Sequence, residues 1–428
     1  MNTTETRSKT KEIFAWTLYD FANSAFTTLV VTFIYATYFV KAIAPDEITG
    51  TILWSRAVTA SALTVAVLSP FLGAIADHGG YRKRFLIITS WISILGSVVL
   101  YGILPGAVLS ALMWFFIANV GFELGLIFYN SYLPELAPPG RVGRISGYGW
   151  SLGYVGGLLA MYVAMVGFVQ PDVPWFGLTK EVGQNIRATN LLVAGWFAVF
   201  SLPIFLLLPE KRTDFQGSAA DLGRQALGRL AETFRQIKQY SQIVLFLIAR
   251  MIYNDGLVTI FAFGGIYAAG TFDFSFQEIM IFGIVLNVAA GVGAFIMGIF
   301  DDRLGGKTTI LISLVGLIAV TILGATTHDR SMFWIAGIGI GLLVGPNQSA
   351  SRALMARFTP RDKRNEFFGF FALSGKATAF LGPLLFGIFT DIFNSQRAGI
   401  WIVAILLVIG GLMLLRVNEG EGISQASE

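Results

Sequence analysis

The sequence predicts an all-α integral membrane protein whose twelve transmembrane helices form two pseudo-symmetric six-helix bundles. Composition, a series of long apolar runs and an internal repeat carry that reading. Of 428 residues, 55% are hydrophobic and only 13% are charged. An ordinary soluble domain carries about a quarter of its residues as charges, so an exterior this poor in them faces lipid.

A spanning helix needs roughly 20 largely apolar residues at about 1.5 Å rise each. Such runs fall at residues 14–40, 54–76, 84–104, 108–133, 146–168, 189–208, 243–269, 277–300, 308–326, 331–355, 366–391 and 397–416. They are too long for strands, and lipid demands a backbone satisfied within each segment. The opening residues, "MNTTETRSKTKE", lack the apolar core of a cleavable signal, so the first helix is expected to remain in the mature chain. The absence of cysteine excludes disulfides, thiolate metal sites and thiol catalysis.

The loops divide Lys and Arg unevenly. With both termini on one side, 22 of the 30 basic residues lie on that side, five (Lys41, Lys180, Arg187, Arg330, Arg397) lie opposite, and three lie within spans. The larger set includes Arg352 and Arg357, read as loop charges. The positive-inside rule makes that side, and both termini, cytoplasmic. The net charge of +4 is thus a topology signal, and no nucleic-acid partner is expected. The cell inner or plasma membrane is the expected location.

Residues 1–208 read as the N-terminal bundle, 209–242 as a linker and 243–428 as the C-terminal bundle. Within the linker Leu222, Ala226, Leu230 and Phe234 recur at helical spacing among basic residues, which predicts an amphipathic helix on the inner membrane surface.

The halves repeat. "GAIADHGGYRK" follows span two and "GIFDDRLGGK" follows span eight. Gly73, Asp77, Gly80 and Arg82 match Gly298, Asp302, Gly305 and Lys307 at an offset of 225, with Arg303 inside the second copy. Gly147 and Gly153 match Gly369 and Gly375 at an offset of 222. Repeated halves with a site between them are a common plan of secondary transporters. Locally, Gly73 permits close helix packing, and Asp77 is placed to complement the start of the following helix. Repetition adds a gating role at the cytoplasmic end.

This motif resembles the loop signature of the major facilitator superfamily. The second copy follows it closely, whereas the first has His78 and Tyr81 where basic residues are usual. Within that superfamily "WTLYDFANSAF", "YNSYLPELAPP", "GYGWSLGYVGG" and "ARMIYNDG" resemble the vacuole effluxer-like branch, which includes autophagy-linked amino-acid exporters. The resemblance implies the major facilitator fold, with helices one, four and seven lining a central cavity. "GGKTT" at 305–309 is no phosphate-binding loop, because position 301 is Asp where that motif needs Gly.

Six charges lie within spans: Asp20, Arg56, Glu123, Arg250, Asp255 and Lys376. Each costs roughly 2.5–3.5 kcal/mol at the membrane centre on insertion scales, so they must meet one another or water. At 100° per residue Asp20, Asn23, Ser24, Thr27, Thr28, Tyr35 and Tyr38 share one side of helix one. Arg250 and Asn254 stack one turn apart in helix seven, with Asp255 on the flank. Arg56 suits snorkelling as well as a cavity. Mixed signs suit a small polar or zwitterionic solute, exported by alternating access, with Glu123, Asp20 or Asp255 as the proton carrier. Efflux of amphipathic compounds and a non-transporting sensor or scaffold are the competing readings. No catalytic constellation, metal cluster or cofactor motif appears in the sequence, and a monomer is expected.

Overall fold

The computed structural model describes residues 3–210 and 219–426, and no strand occurs among them. Twelve long helices follow one another: α1 (Lys9–Ile43), α2 (Glu47–Gly79), α3 (Arg82–Tyr101), α4 (Val108–Leu136), α5 (Val142–Val169), α6 (Glu181–Leu207), α7 (Lys238–Phe272), α8 (Gln277–Leu304), α9 (Gly306–Thr326), α10 (Arg330–Phe358), α11 (Arg364–Ile392) and α12 (Gln396–Leu415). Each coincides with one run read from the sequence. Eleven are long and apolar enough to cross a membrane. The remaining one, α10, is long enough, but its second half carries Asn347, Gln348, Ser349, Ser351 and Arg352. A linker helix, Ala219–Arg235, precedes α7, and a short helix, Glu419–Gln425, follows α12. Residues 211–218 of the predicted linker, with Lys211 and Arg212, lie outside the described residues.

The chain divides into two compact units. Unit 1 takes residues 1–68, 79–129 and 152–214; unit 2 takes 69–78, 130–151 and 215–428. The end of α2 and the junction of α4 with α5 therefore belong to unit 2.

Unit 1 is centred on α1. Trp16 is fully buried, donates from Nε1 to Tyr129 O at 2.9 Å and stacks on the Tyr129 ring. Tyr19 stacks on the same ring and shares a 2.7 Å hydrogen bond with Ser90 Oγ. Gly156 lies so close to the backbone of Phe21 that a Cβ there would collide, so the glycine run of α5 packs directly on α1. At the outset of α2, Asp46 accepts from Thr49 N at 2.8 Å and from Thr49 Oγ1 at 2.7 Å; these bonds hold its carboxyl below its ordinary pKa.

The even 100° step assumed along α1 does not hold over its second half. Phe26–Phe33 and Phe39–Ile43 are wound as wider π turns, which rotate the later side chains away from the assumed period. Tyr35 and Tyr38 are buried, as are Leu29 and Val30, whereas Thr32 and Thr37 are exposed.

In unit 2 an aromatic cluster of Tyr267, Phe272, Phe274, Phe282, Phe333 and Phe386 joins α7, α8, α10 and α11. Helices α8 and α10 meet almost backbone to backbone. A Cβ on Gly345 would strike the Ala290 carbonyl, and one on Gly293 the Leu342 carbonyl. Gly345→Val is expected to lower stability by about 1–3 kcal/mol, the range for overpacking a close contact. Thermal unfolding in detergent checks this, and an unchanged midpoint would mean that the crossing yields without penalty. The linker helix buries Ala226 and Leu230 against Ala74 of α2.

Candidate functional site

Helix α11 is broken near its middle. It is helical over Arg364–Lys376 and resumes at Leu381–Ile392. Pro383 explains the break: its nitrogen donates nothing, and its ring crowds the carbonyl four residues earlier, that of Ala379. The intervening turn is tightened instead by Leu381 N donating to Thr378 O at 2.7 Å.

Helix α7 meets this break with its three predicted polar residues. Arg250 Nη1 donates to Phe371 O at 2.9 Å and to Ser374 Oγ at 2.7 Å, with the guanidinium 3.7 Å from the Phe371 ring centroid. Asn254 Nδ2 donates to Gly375 O at 3.2 Å, and Thr378 Oγ1 donates to Asp255 Oδ1 at 3.2 Å. Arg250 thereby complements the negative end of the first half-helix, where carbonyls lose their intrahelical partners. Gly375 and Gly382 flank the break, and a Cβ on Gly375 would come within 2.9 Å of Arg250 Nη1. Lys376 ends the first half-helix and is half-buried. Arg250, Asn254 and Asp255 of α7 thus bond to the residues on both sides of Lys376 within unit 2.

The other predicted cavity residues lie in unit 1. Asp20 and Asn23 are buried on α1 beside Ser24, whose Oγ donates to Asp20 O at 2.7 Å. Asn23 Nδ2 is buried without a hydrogen-bond partner. Glu123 is half-buried on α4, one turn beyond Asn119, which donates to Ser61 Oγ of α2 at 2.7 Å. Arg56 is exposed near the start of α2.

The repeated motifs form two matching crossings, both inside unit 2. Asp77 Oδ1 accepts from Asn365 N at 3.1 Å and Asn365 Nδ2 at 2.7 Å, and Oδ2 accepts from Glu366 N at 2.9 Å. Asp302 Oδ1 accepts from Gly143 N at 2.9 Å and Arg144 N at 3.2 Å. Each carboxylate therefore sits on the first turn of a distant helix, α11 or α5, where unpaired N–H groups and the dipole favour an anion. This corrects the expectation that Asp77 serves the next helix: it lies at the end of α2 and its carboxylate oxygens accept from the start of α11. Gly73 and Gly298 allow these approaches, since a Cβ would strike Asn365 O in the first case and lie 2.9 Å from Gly147 Cα in the second. Gly80 and Gly305 take positive φ of 67° and 86° to leave their helices, which explains glycine at both positions. Lys83 Nζ donates to Leu208 O at 2.6 Å and Lys307 Nζ to Leu415 O at 2.9 Å, so Lys83, one place beyond Arg82, performs the equivalent of Lys307. Arg82 is buried and Arg303 exposed.

Two arginines counted as loop charges are buried. Arg352 is only 3% exposed, within α10; it donates to Ser146 Oγ at 3.0 Å, Ser146 O at 2.7 Å and Asn130 Oδ1 at 3.3 Å. Arg187 is buried at the start of α6, donates to Tyr101 O at 2.8 Å and lies over the Tyr101 ring. Neutral acceptors and aromatic faces hold these cations where the sequence suggested water. Ion pairs Arg364–Glu135 at 2.6 Å, Arg144–Asp302 at 3.5 Å and Arg357–Asp301 surround the two crossings.

Comparisons with known proteins agree with this architecture. The family model described as "Vacuole effluxer Atg22 like" matches residues 47–427. The chain is 25% identical over 413 residues to the "Uncharacterized MFS-type transporter YxiO" of Bacillus subtilis, covering 96% of this chain and 95% of that one. It is 23% identical over 451 residues to "Autophagy-related protein 22-1" of Penicillium rubens, covering 85% and 74%. Among solved structures, the proton:xylose symporter XylE superposes with a TM-score of 0.75 at 15% identity, covering 97% of both chains. A bacterial homologue of the iron transporter ferroportin gives 0.69 at 13% identity, covering 95% and 98%.

Proposed function

Because the chain belongs to the vacuole effluxer Atg22-like family and has the fold of major facilitator superfamily transporters, we propose that it exports a small zwitterionic solute of the amino-acid class. It is a multi-pass membrane protein of the MFS transporter type, a class that moves small molecules and performs no bond chemistry. The proposed substrate rests on one observation above all: Arg250, Asn254 and Asp255 converge on the broken centre of α11 beside Lys376. Discontinuous helices with polar half-ends supply binding sites in secondary transporters. A carboxylate fits Arg250 or Lys376, and an ammonium fits Asp255 together with freed carbonyls.

Two six-helix bundles, 1–208 and 243–428, alternate access around this site in the proposed cycle, joined by 209–242. Asp77 and Asp302 act as matched latches on α11 and α5 at the cytoplasmic end. Gly73, Gly80, Arg82, Gly298, Arg303, Gly305 and Lys307 complete the gate motif. Asp20, Asn23, Arg56 and Glu123 face the same route from the first bundle. Both termini are cytoplasmic, the membrane is the cell's inner or plasma membrane, and the working form is a monomer. The description of the matching family, "Vacuole effluxer Atg22 like", supports export.

Proton coupling is assigned to Glu123, which lies half-buried on α4. Glu123→Gln is expected to abolish dependence of flux on a pH gradient while leaving exchange of solute intact. Uptake into liposomes with and without an imposed gradient checks this, and unchanged gradient-driven uptake would remove Glu123 from the role. The substrate class is tested by a thermal-shift panel on the purified protein: stabilisation by amino acids is the expected result, and stabilisation by lipophilic cations alone would favour amphipathic efflux.

A further inference from the structure

An apolar pocket of about 200 Å³ lies within unit 2 between α7, the first half of α11 and the linker helix. Ile243, Leu247 and Met251 form one wall, Phe367 and Phe370 another, and Phe234 closes the linker side. A dry cavity of about 150 Å³ already accepts a benzene ring, so this one has room for a segment of hydrocarbon chain. The polar edge is formed by Thr233 and Tyr240, both of which receive a hydrogen bond from Lys363 Nζ, at 3.0 and 3.1 Å. Glu366 and Asp362 lie in the same neighbourhood. Arg235 follows Phe234 in the chain and Lys238 stands two places before Tyr240; both are exposed, and neither forms a salt bridge among the described residues. The linker helix itself presents Leu227 and Phe234 outward at 57% and 56% exposure, an apolar flank for a membrane surface.

We propose that this pocket is a phospholipid site: one acyl chain fills the α7–α11 cleft, and an anionic headgroup rests on Arg235 and Lys238. The argument is complementarity of both ends. An apolar slot beneath an amphipathic helix matches the acyl chain. Two exposed cations close in sequence to lining residues, neither in a salt bridge among the described residues, match a phosphodiester without a compensating ammonium. Basic residues on an amphipathic helix contribute roughly 1 kcal/mol each toward anionic lipid. Ser374 and Leu373 line the inner wall, and Ser374 accepts from Arg250, so a bound chain braces the first half of α11 against α7.

The test is native mass spectrometry of the purified full chain in detergent, titrated with phosphatidylglycerol or phosphatidylcholine of equal chain length. The expected result is about thirtyfold tighter retention of phosphatidylglycerol, the equivalent of two surface cations. Leu247→Trp, which fills the slot, is expected to lose both lipids. Arg235→Ala with Lys238→Ala is expected to keep phosphatidylcholine binding and erase the preference. Thermal melting of each variant separates loss of the site from loss of the fold, and Met251→Trp serves as a second slot-filling variant should Leu247→Trp melt early. Equal retention of both lipids by the wild type, or retention unaffected by both slot-filling variants, would overturn the proposal. A dimer that dissociates on filling the slot would overturn it in favour of a second copy as the occupant.

Discussion

Asp77→Ala is expected to cut transport by at least about tenfold, because it strips the first turn of α11 of its anion. Three donors, Asn365 N, Asn365 Nδ2 and Glu366 N, lose their acceptor at once. Hydrogen bonds to a charged group contribute about 1.5–3 kcal/mol each. Even a loss of about 3 kcal/mol from one conformer shifts its population by about two decades. The absence of native cysteine allows a clean reporter. Ser131 is fully buried and donates to Asn365 Oδ1 at 2.6 Å, so Ser131→Cys places a thiol inside the crossing with little change in volume. In an Asp77→Ala background its labelling by a maleimide is expected to rise about ten- to a hundredfold. Asp302→Ala is expected to act in the same direction on α5. Labelling that stays at the level of the Ser131→Cys chain alone would show that Asp77 does not hold the crossing shut.

The second large effect concerns binding. Arg250→Gln is expected to weaken amino-acid binding by about a hundredfold, since removing one member of a buried charge pair costs about 2–5 kcal/mol. Arg250→Lys keeps the charge but loses the planar guanidinium that stacks on the Phe371 ring while Nη1 donates to Phe371 O and Ser374 Oγ, so an intermediate loss is expected. Arg250 also steadies the half-helix, and a control is therefore needed. Thr378→Val removes only the hydroxyl that donates to Asp255 and is expected to leave Arg250 in place. Isothermal titration alongside thermal melting distinguishes the roles: lost affinity with a retained melting midpoint assigns Arg250 to the solute, whereas lost melting with retained affinity confines it to structure.

The spans were legible in the sequence because lipid imposes length and apolarity on every one of them. Partner choice was not. A carboxylate at position 77 suits any helix start, and nothing local to "ADHGG" names α11 rather than α3. The repeat held a usable signal that went unread. Gly143 and Arg144 stand at an offset of 222 from Asn365 and Glu366, the same offset that relates Gly147 to Gly369. Extending that alignment a few residues would have paired the two helix starts with the two aspartates.

Other features left no such trace. Residues 26–43 contain neither Gly nor Pro, so the π turns of α1 follow from tertiary packing, and no constant 100° step describes that segment. Burial of Arg352 is not legible locally: its cost is offset by Ser146 and Asn130, which belong to segments more than 200 positions away in the chain. Pro383 stands in the sequence, but a span read from length and mean apolarity runs straight through 366–391 and does not show the break beside Lys376.

Flux in proteoliposomes of the wild-type chain, run against a panel of labelled amino acids and one lipophilic cation, tests the central claim most directly. If the charged groups at the severed helix hold the solute as proposed, the chain carries at least one zwitterion saturably and ignores the greasy ion. Movement of the lipophilic cation with no amino acid transported would contradict it.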